Sequence, residues 1–197
     1  MTMLDLAQKR RSCYELTDKI PLSQEELIHL VQEAVKQAPS AFNSQSARVV
    51  ILLGEKHHHF WHLVSEELKK IVPPENFATT AQKISSFAAG YGTLLFFEDW
   101  AAVEALQVRF AAYAENFPTW AYQANGMLEY IIWTALAEHN IGASLQHYNP
   151  LVDHAVAHAF DVPHTWKLIA QMPFGAIAQP PQEKEHMPLA LRVRVEK

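Results

Sequence analysis

The sequence predicts a single α+β domain, and three observations carry that prediction. Short apolar or β-branched runs at residues 47–53, 93–97 and 167–172 interleave with longer stretches of helical periodicity. The 197 residues are 49% apolar, which is ample for one hydrophobic core. No internal repeat or low-complexity segment divides the chain, and Pro180-Pro181 falls near the end rather than between two halves. Residues 1–197 therefore read as one domain with a C-terminal arm.

Taken in order, a short helical segment precedes Arg10-Arg11-Ser12. Ser23 and Glu26 then form a capping box, after which Leu27, Leu30, Val31, Ala34 and Val35 repeat at helical spacing until Pro39 stops the helix. Residues 47–53, Ala-Arg-Val-Val-Ile-Leu-Leu, suit a buried strand ended by Gly54. Residues 55–71 and 76–88 read as helices separated by Pro73-Pro74, residues 93–97 as a second strand, and 100–113 as a helix. From Gln123 to His139 the apolar residues Met127, Leu128, Ile131, Ile132, Ala135 and Leu136 cover a broad face. Such a helix is buried on more than one side, which in a small chain points to a second subunit. A third strand includes Lys167–Met172, and the alternation from Leu191 to Val195 predicts a fourth.

Charge and composition exclude several function classes. A formal charge of −5 gives no overall electrostatic reason to bind nucleic acid or an anionic membrane, so an anionic ligand needs a local basic cluster. No apolar stretch has the length of a signal peptide, and none approaches the ~18 residues that span a bilayer. The expectation is a soluble, cytoplasmic protein. Cys13 is the only cysteine, so no intrachain disulfide forms. Gly90 and Gly92 make a G-x-G, but Leu95 stands where the third glycine of a dinucleotide fingerprint belongs, and no P-loop motif occurs.

Arg10, Arg11 and Ser12 place two guanidiniums beside a hydroxyl, a combination that suits a phosphate monoester. By themselves, two adjacent arginines more often belong to a solvated surface. Arg192 and Arg194 alternate with Val193 and Val195, so in a strand both arginines share one face. Between a helix and a strand lies Ala38-Pro39-Ser40-Ala41-Phe42-Asn43-Ser44-Gln45-Ser46. Asn43 and Gln45 can each donate and accept, as a heteroaromatic ring edge requires, although an ordinary turn uses the same residues.

As an ordered set these segments resemble the nitroreductase-like flavoproteins, and within them the short fungal and bacterial branch linked to nitroaromatic or quinone reduction. The resemblance runs through Arg10-Arg11-Ser12, Pro39-Ser40-x-x-Asn43-x-Gln45, Asn125-Gly126-Met127, Gly142 to Pro150, Pro173-Phe174-Gly175 and Arg192. It implies a central antiparallel-rich sheet flanked by helices, in a homodimer whose terminal arms embrace the other subunit. It also implies FMN as cofactor, NADH or NADPH as electron donor, and small quinone or nitroaromatic acceptors served by a ping-pong mechanism. Arg10, Ser12 and Arg192, with Arg11 and Arg194, would hold the phosphate, and Asn43 and Gln45 would reach the ribityl chain or ring edge. Leu145, Gln146 and His147 would lie along the flavin, with Phe174 and Gly175 in the site and Asn125 and Gly126 approaching from the partner subunit. The flavin N5 carries the chemistry, so no protein residue is assigned as catalytic. Tyr14 departs from the pattern, since many relatives carry a basic residue there, and this bears on the flavin potential.

Other features carry less. His58/His62 and His154/His158 have the i, i+4 spacing of metal ligands but lack a third ligand, so they, with His57 and His59, read as surface or capping residues and no metal is expected. Cys13 reads as a small buried side chain. Trp100, Phe110, Tyr113, Phe117, Trp120 and Tyr122 read as packing residues, of which one or two line the acceptor site. The alternative function is a flavin-binding regulatory or stress-response protein with little turnover.

Overall fold

A computed structural model describes residues 2–197. Helix α1 (Met3–Lys9) leads through a two-residue strand β1 (Leu16–Thr17) to α2 (Gln24–Gln37), whose capping box is formed by Ser23 and Glu26. Strand β2 (Ala47–Leu53) follows, then α3 (Glu55–Lys69), α4 (Pro74–Ala88), β3 (Gly92–Asp99) and α5 (Trp100–Arg109). The long helix α6 (Phe117–Glu138) is followed by β4 (Ile141–Ala143), α7 (Asp153–Ala159) and β5 (Trp166–Ile177). All pairings between these strands are antiparallel: β2 with β3, β3 with β5, and β5 with both β1 and β4 near its C-terminal end.

The period of two along β3 explains why its sequence is apolar throughout. Leu94 and Phe96 join Ala170 and Met172 under α2 and α6, where Leu27, Val31, Leu128 and Ile132 close one core. Leu95 and Phe97 join Leu168 on the opposite face, against Phe60, Trp61 and Val64 of α3 and Phe87 of α4. A strand covered on both faces has no reason to alternate.

Several boundaries differ from the sequence reading. Helix α6 starts at Phe117 rather than Gln123, because Pro118 fits a first helical turn, where its missing N–H costs nothing. The helix expected over 100–113 stops at Arg109, and a separate 3₁₀ turn covers Ala111–Tyr113. The fourth strand expected over 191–195 is absent from the protomer: Leu189–Leu191 form a 3₁₀ turn and the rest is irregular. A strand needs a neighbour for its backbone groups, and within one chain this segment has none.

His57 also departs from expectation, being buried in the α3–β3 interface rather than capping or facing solvent. Its Nε2 donates to the Ala88 carbonyl at 3.1 Å, which leaves Nδ1 to accept from the Thr93 hydroxyl at 2.8 Å. That hydroxyl oxygen in turn accepts from Trp61 Nε1 at 2.9 Å, so the neutral tautomer satisfies every partner. Burial pushes His57 down from 6.5 to about 4. The unfolded histidine takes its proton near 6.5 and the folded one only near 4, so acid favours the unfolded chain between these values. Stability present above pH 6.5 should fall by on the order of 3 kcal/mol by pH 4, and this slope should be reduced in His57→Gln. Urea titrations at stepped pH measure it; an equal slope in the variant contradicts the assignment.

Candidate functional site

After α1 the chain turns extended at Arg10 and runs beside β4, Ser12 bridging Ala143 and the Cys13 N–H donating to the Ala143 carbonyl at 2.9 Å. Trp133 of α6 donates its Nε1 to the same carbonyl at 3.2 Å, and the Arg10 guanidinium lies 4.2 Å over that indole ring. This cation–π contact fixes the direction of the arginine. Arg10 Nε is nevertheless buried with no protein partner. Unpaired buried donors are rare, so this one marks a place for an acceptor that the chain itself does not supply. Arg11 differs, because its Nη2 donates to the Gln182 carbonyl where the arm begins. A cavity of about 660 Å³ opens here, lined by Arg10, Arg11, Ser12, Tyr14 and residues 179–185. Cys13 is buried in this segment, and burial pushes its thiol up, against use as a nucleophile.

The segment after β4 alternates in exposure. Ser144 and Gln146 are buried and joined, Gln146 Nε2 donating to Ser144 Oγ at 3.1 Å, while Gln146 also pairs its backbone with Gln171. Leu145 is half-buried with one side against the core, and His147 is exposed. Phe174 and Gly175 are packed inside the protomer. The Phe174 ring is wholly inside the core, and a Cβ on Gly175 would meet the Thr17 carbonyl at 2.2 Å. Gly175 is closed by the approach of β1, and Phe174 lies between β3 and β4 with its ring against Tyr91.

The amide-rich loop forms a second cluster. Phe42, Asn43 and Gln45 have φ of 55°, 52° and 47°, the left-handed region that non-glycine residues seldom occupy. Three such residues within a four-residue stretch are a concentration of strain typical of functional loops. The Gln45 N–H donates to Ser40 Oγ at 3.0 Å, and the Phe42 ring rests among Phe110, Tyr113, Phe117 and Trp120 at centroid distances of 4.7 to 6.0 Å. Asn43 and Gln45 are exposed. Gln45 and Ser40 border a largely apolar cavity of about 570 Å³ between α2, the edge of β2 and α6. Gly126 sits on the exposed face of α6, where an added Cβ would meet nothing, beside Met127. Asn125 is fully buried, and its Nδ2 donates to the Phe97 carbonyl at 3.0 Å and to Glu98 Oε1 at 2.9 Å. Its side chain ties α6 to the end of β3.

The predicted residues thus fall into two groups. Arg10, Arg11 and Ser12 stand beside the strand that leads to Leu145, Gln146 and His147, whereas Gln45 borders a separate cavity that shares no lining residue with the first. Arg192 and Arg194 belong to neither in the protomer; Arg194 pairs with Glu196 on the exposed arm. Three residues near these clusters were not singled out by the sequence reading. Phe42 lay inside a quoted motif with nothing to mark its backbone. Glu98 had the signal of an acid closing an apolar strand. Glu129, one helical turn beyond Asn125, is buried and pushed up to about 7 by that burial, without any sequence signal.

Fold and clefts together define an oxidoreductase scaffold, as comparison with known proteins makes plain. The model of the Nitroreductase family matches residues 7–176. The chain belongs to the nitroreductase family. The nitroreductase FRM2 of Saccharomyces cerevisiae is 35% identical over 188 residues, covering 92% of this chain and 91% of that one. The solved structure of nitroreductase CinD from Lactococcus lactis in complex with chloramphenicol is 43% identical, with a TM-score of 0.91 over 100% of both chains. A nitroreductase with bound FMN from Desulfitobacterium hafniense DCB-2 shares the fold at a TM-score of 0.71 and 16% identity, covering 98% and 97%.

Proposed function

We propose that this chain is an FMN-dependent oxidoreductase that passes electrons from NADH or NADPH to quinone or nitroaromatic acceptors, working as a homodimer. The observation that carries the reading is the buried, unpartnered Nε of Arg10, directed by Trp133 beside a second guanidinium and a hydroxyl. That donor set matches a phosphate monoester. Arg10, Arg11 and Ser12 would hold the FMN phosphate, joined by Arg192 and Arg194 of the arm. Leu145 and His147 would flank the ring from the same subunit, with Gln146 supporting them through Ser144. Asn43, Gln45 and the open surface at Gly126 would come from the partner. FMN would supply a hydride-accepting N5 and electrons for the acceptor.

A second copy also accounts for the arm. Met187, Leu189, Leu191, Val193 and Val195 are 59% to 74% exposed, an apolar row that its own chain leaves uncovered. The outer edge of β2 has no strand beside it among the described residues, and it borders the apolar cavity lined by Val31 and Val35 of α2. The partner's arm would complete that edge, giving residues 191–195 the strand neighbour they lack in the protomer.

Donor and acceptor must use the same exposed ring face in turn, so the kinetics should be ping-pong. The purified protein should be yellow with about one FMN per chain, and double-reciprocal plots for reduced nicotinamide at several quinone concentrations should be parallel. Intersecting lines would require a ternary complex. Bound FMN without acceptor-dependent turnover would favour a regulatory flavoprotein instead.

A further inference from the structure

Glu98 closes the apolar run of β3 with its side chain wholly buried. Its Oε1 accepts from Asn125 Nδ2 at 2.9 Å, but Oε2 has no partner. The same nitrogen donates to the Phe97 carbonyl at 3.0 Å, which settles which end of the Asn125 amide is nitrogen and which is oxygen. Asn125 Oδ1 is therefore an acceptor, and it too is buried without a partner. Two orphaned acceptors thus belong to the two side chains already joined through their other atoms. An ionised Glu98 leaves both unpaired, whereas a single proton on Oε2 supplies a donor that answers both at once.

We propose that Glu98 is kept as a neutral acid whose Oε2–H donates to Asn125 Oδ1 while Asn125 Nδ2 donates back to Oε1, and that this reciprocal pair positions α6 and the 43–46 loop for the cofactor. The link to the loop is direct. Glu98 lies opposite Ala47 in the β2–β3 register, and the neighbouring Asp99 N–H donates to the Ser46 carbonyl at 2.9 Å. Ser46 is buried, and its hydroxyl lies 3.4 Å from that of Ser44. On the other side Asn125 precedes Gly126, so one pair ties together the two segments assigned to the partner's half of the site.

The surrounding charges agree. Arg48 is engaged by Asp99 at 2.9 Å, and among the described residues no cation bonds to Glu98. Burial is the largest influence and raises the Glu98 carboxyl, outweighing the opposing effects of Asn125, Ser46 and Arg48, while Asp99 adds a still smaller like-charge repulsion. A carboxyl kept neutral this way donates a hydrogen bond with no net charge buried.

The test is Glu98→Gln beside Asn125→Ala, each made in the full-length chain. Glutamine puts an N–H where the acid has its O–H, so E98Q should fold, melt near the wild-type temperature and bind FMN with wild-type affinity. Asn125→Ala strands the acid, and should lower the melting temperature and weaken FMN about tenfold. Infrared spectra of the cofactor-free wild type at neutral pH should show the carbonyl stretch of a protonated carboxyl, shifted in D₂O. That band should vanish in E98Q and survive in Glu129→Gln, which separates it from the other buried acid. A wild type without the band, or an E98Q that unfolds or loses FMN as Asn125→Ala does, overturns the proposal. The inference rests on the FMN reading for its binding readout alone. Should no variant and no wild type bind FMN, that reading fails while the band and the melting temperatures still decide the pair.

Discussion

Arg10→Ala is expected to weaken FMN binding by on the order of 100-fold and leave the fold intact. The guanidinium is stacked on Trp133 and its Nε faces no protein acceptor, so its hydrogen-bonding capacity is held for a ligand. Nothing in the protomer depends on it for a buried hydrogen bond, and the variant should therefore melt within a few degrees of the wild type. Arg11→Ala should lose less, because Arg11 is shared with the Gln182 carbonyl at the root of the arm. Flavin fluorescence quenching on titration gives both affinities. An Arg10→Ala protein that keeps its FMN at unchanged affinity would remove the phosphate assignment and with it the cofactor reading.

The second large effect concerns association. Helix α6 buries Leu128, Ile132 and Leu136 in its own core while Tyr122, Met127 and Tyr130 remain 36% to 42% exposed beside Gly126. Large apolar residues on the open side of a central helix are the composition of a homodimer interface, and the anchors of such interfaces each cost roughly 2–4 kcal/mol when removed. Met127→Glu combined with Tyr130→Glu should convert a sedimenting dimer into monomers at micromolar concentration, and those monomers should lose FMN although their far-UV spectrum is unchanged. A wild-type monomer that retains flavin would contradict the shared site.

Elements set by local rules were legible in the sequence. The Ser23–Glu26 capping box and the 3.6-residue period after it gave α2 to within a residue, and Gly54 ended β2 where expected. The arm was not legible in the same way: the alternation over 191–195 predicts a strand, but within the protomer this segment has no strand neighbour and stays irregular. That Arg10, Arg11 and Ser12 form one cluster was readable because adjacent cationic forks are chemically distinctive, and they do line one cavity. The buried tie that Asn125 makes to β3 was not legible, because its residue type suits a ligand and a buried tie equally well and only its contacts show the tie. The left-handed backbone at Phe42 had no sequence mark, since a strained loop is stabilised by the aromatic rings that surround it and not by its own residues.

Mixed dimers test the central claim, that each site takes Arg10 from one subunit and the 43–45 loop from the other. One chain carries Arg10→Ala and the second carries Asn43→Ala with Gln45→Ala, each with a different tag, and the heterodimer is purified through both tags. Neither parent homodimer should hold FMN tightly. If the site is shared, the heterodimer has one site with every change and one with none, so it should bind one FMN per dimer at wild-type affinity. If instead both segments act within a single chain, every site in the heterodimer keeps a defect, and no high-affinity FMN would be recovered.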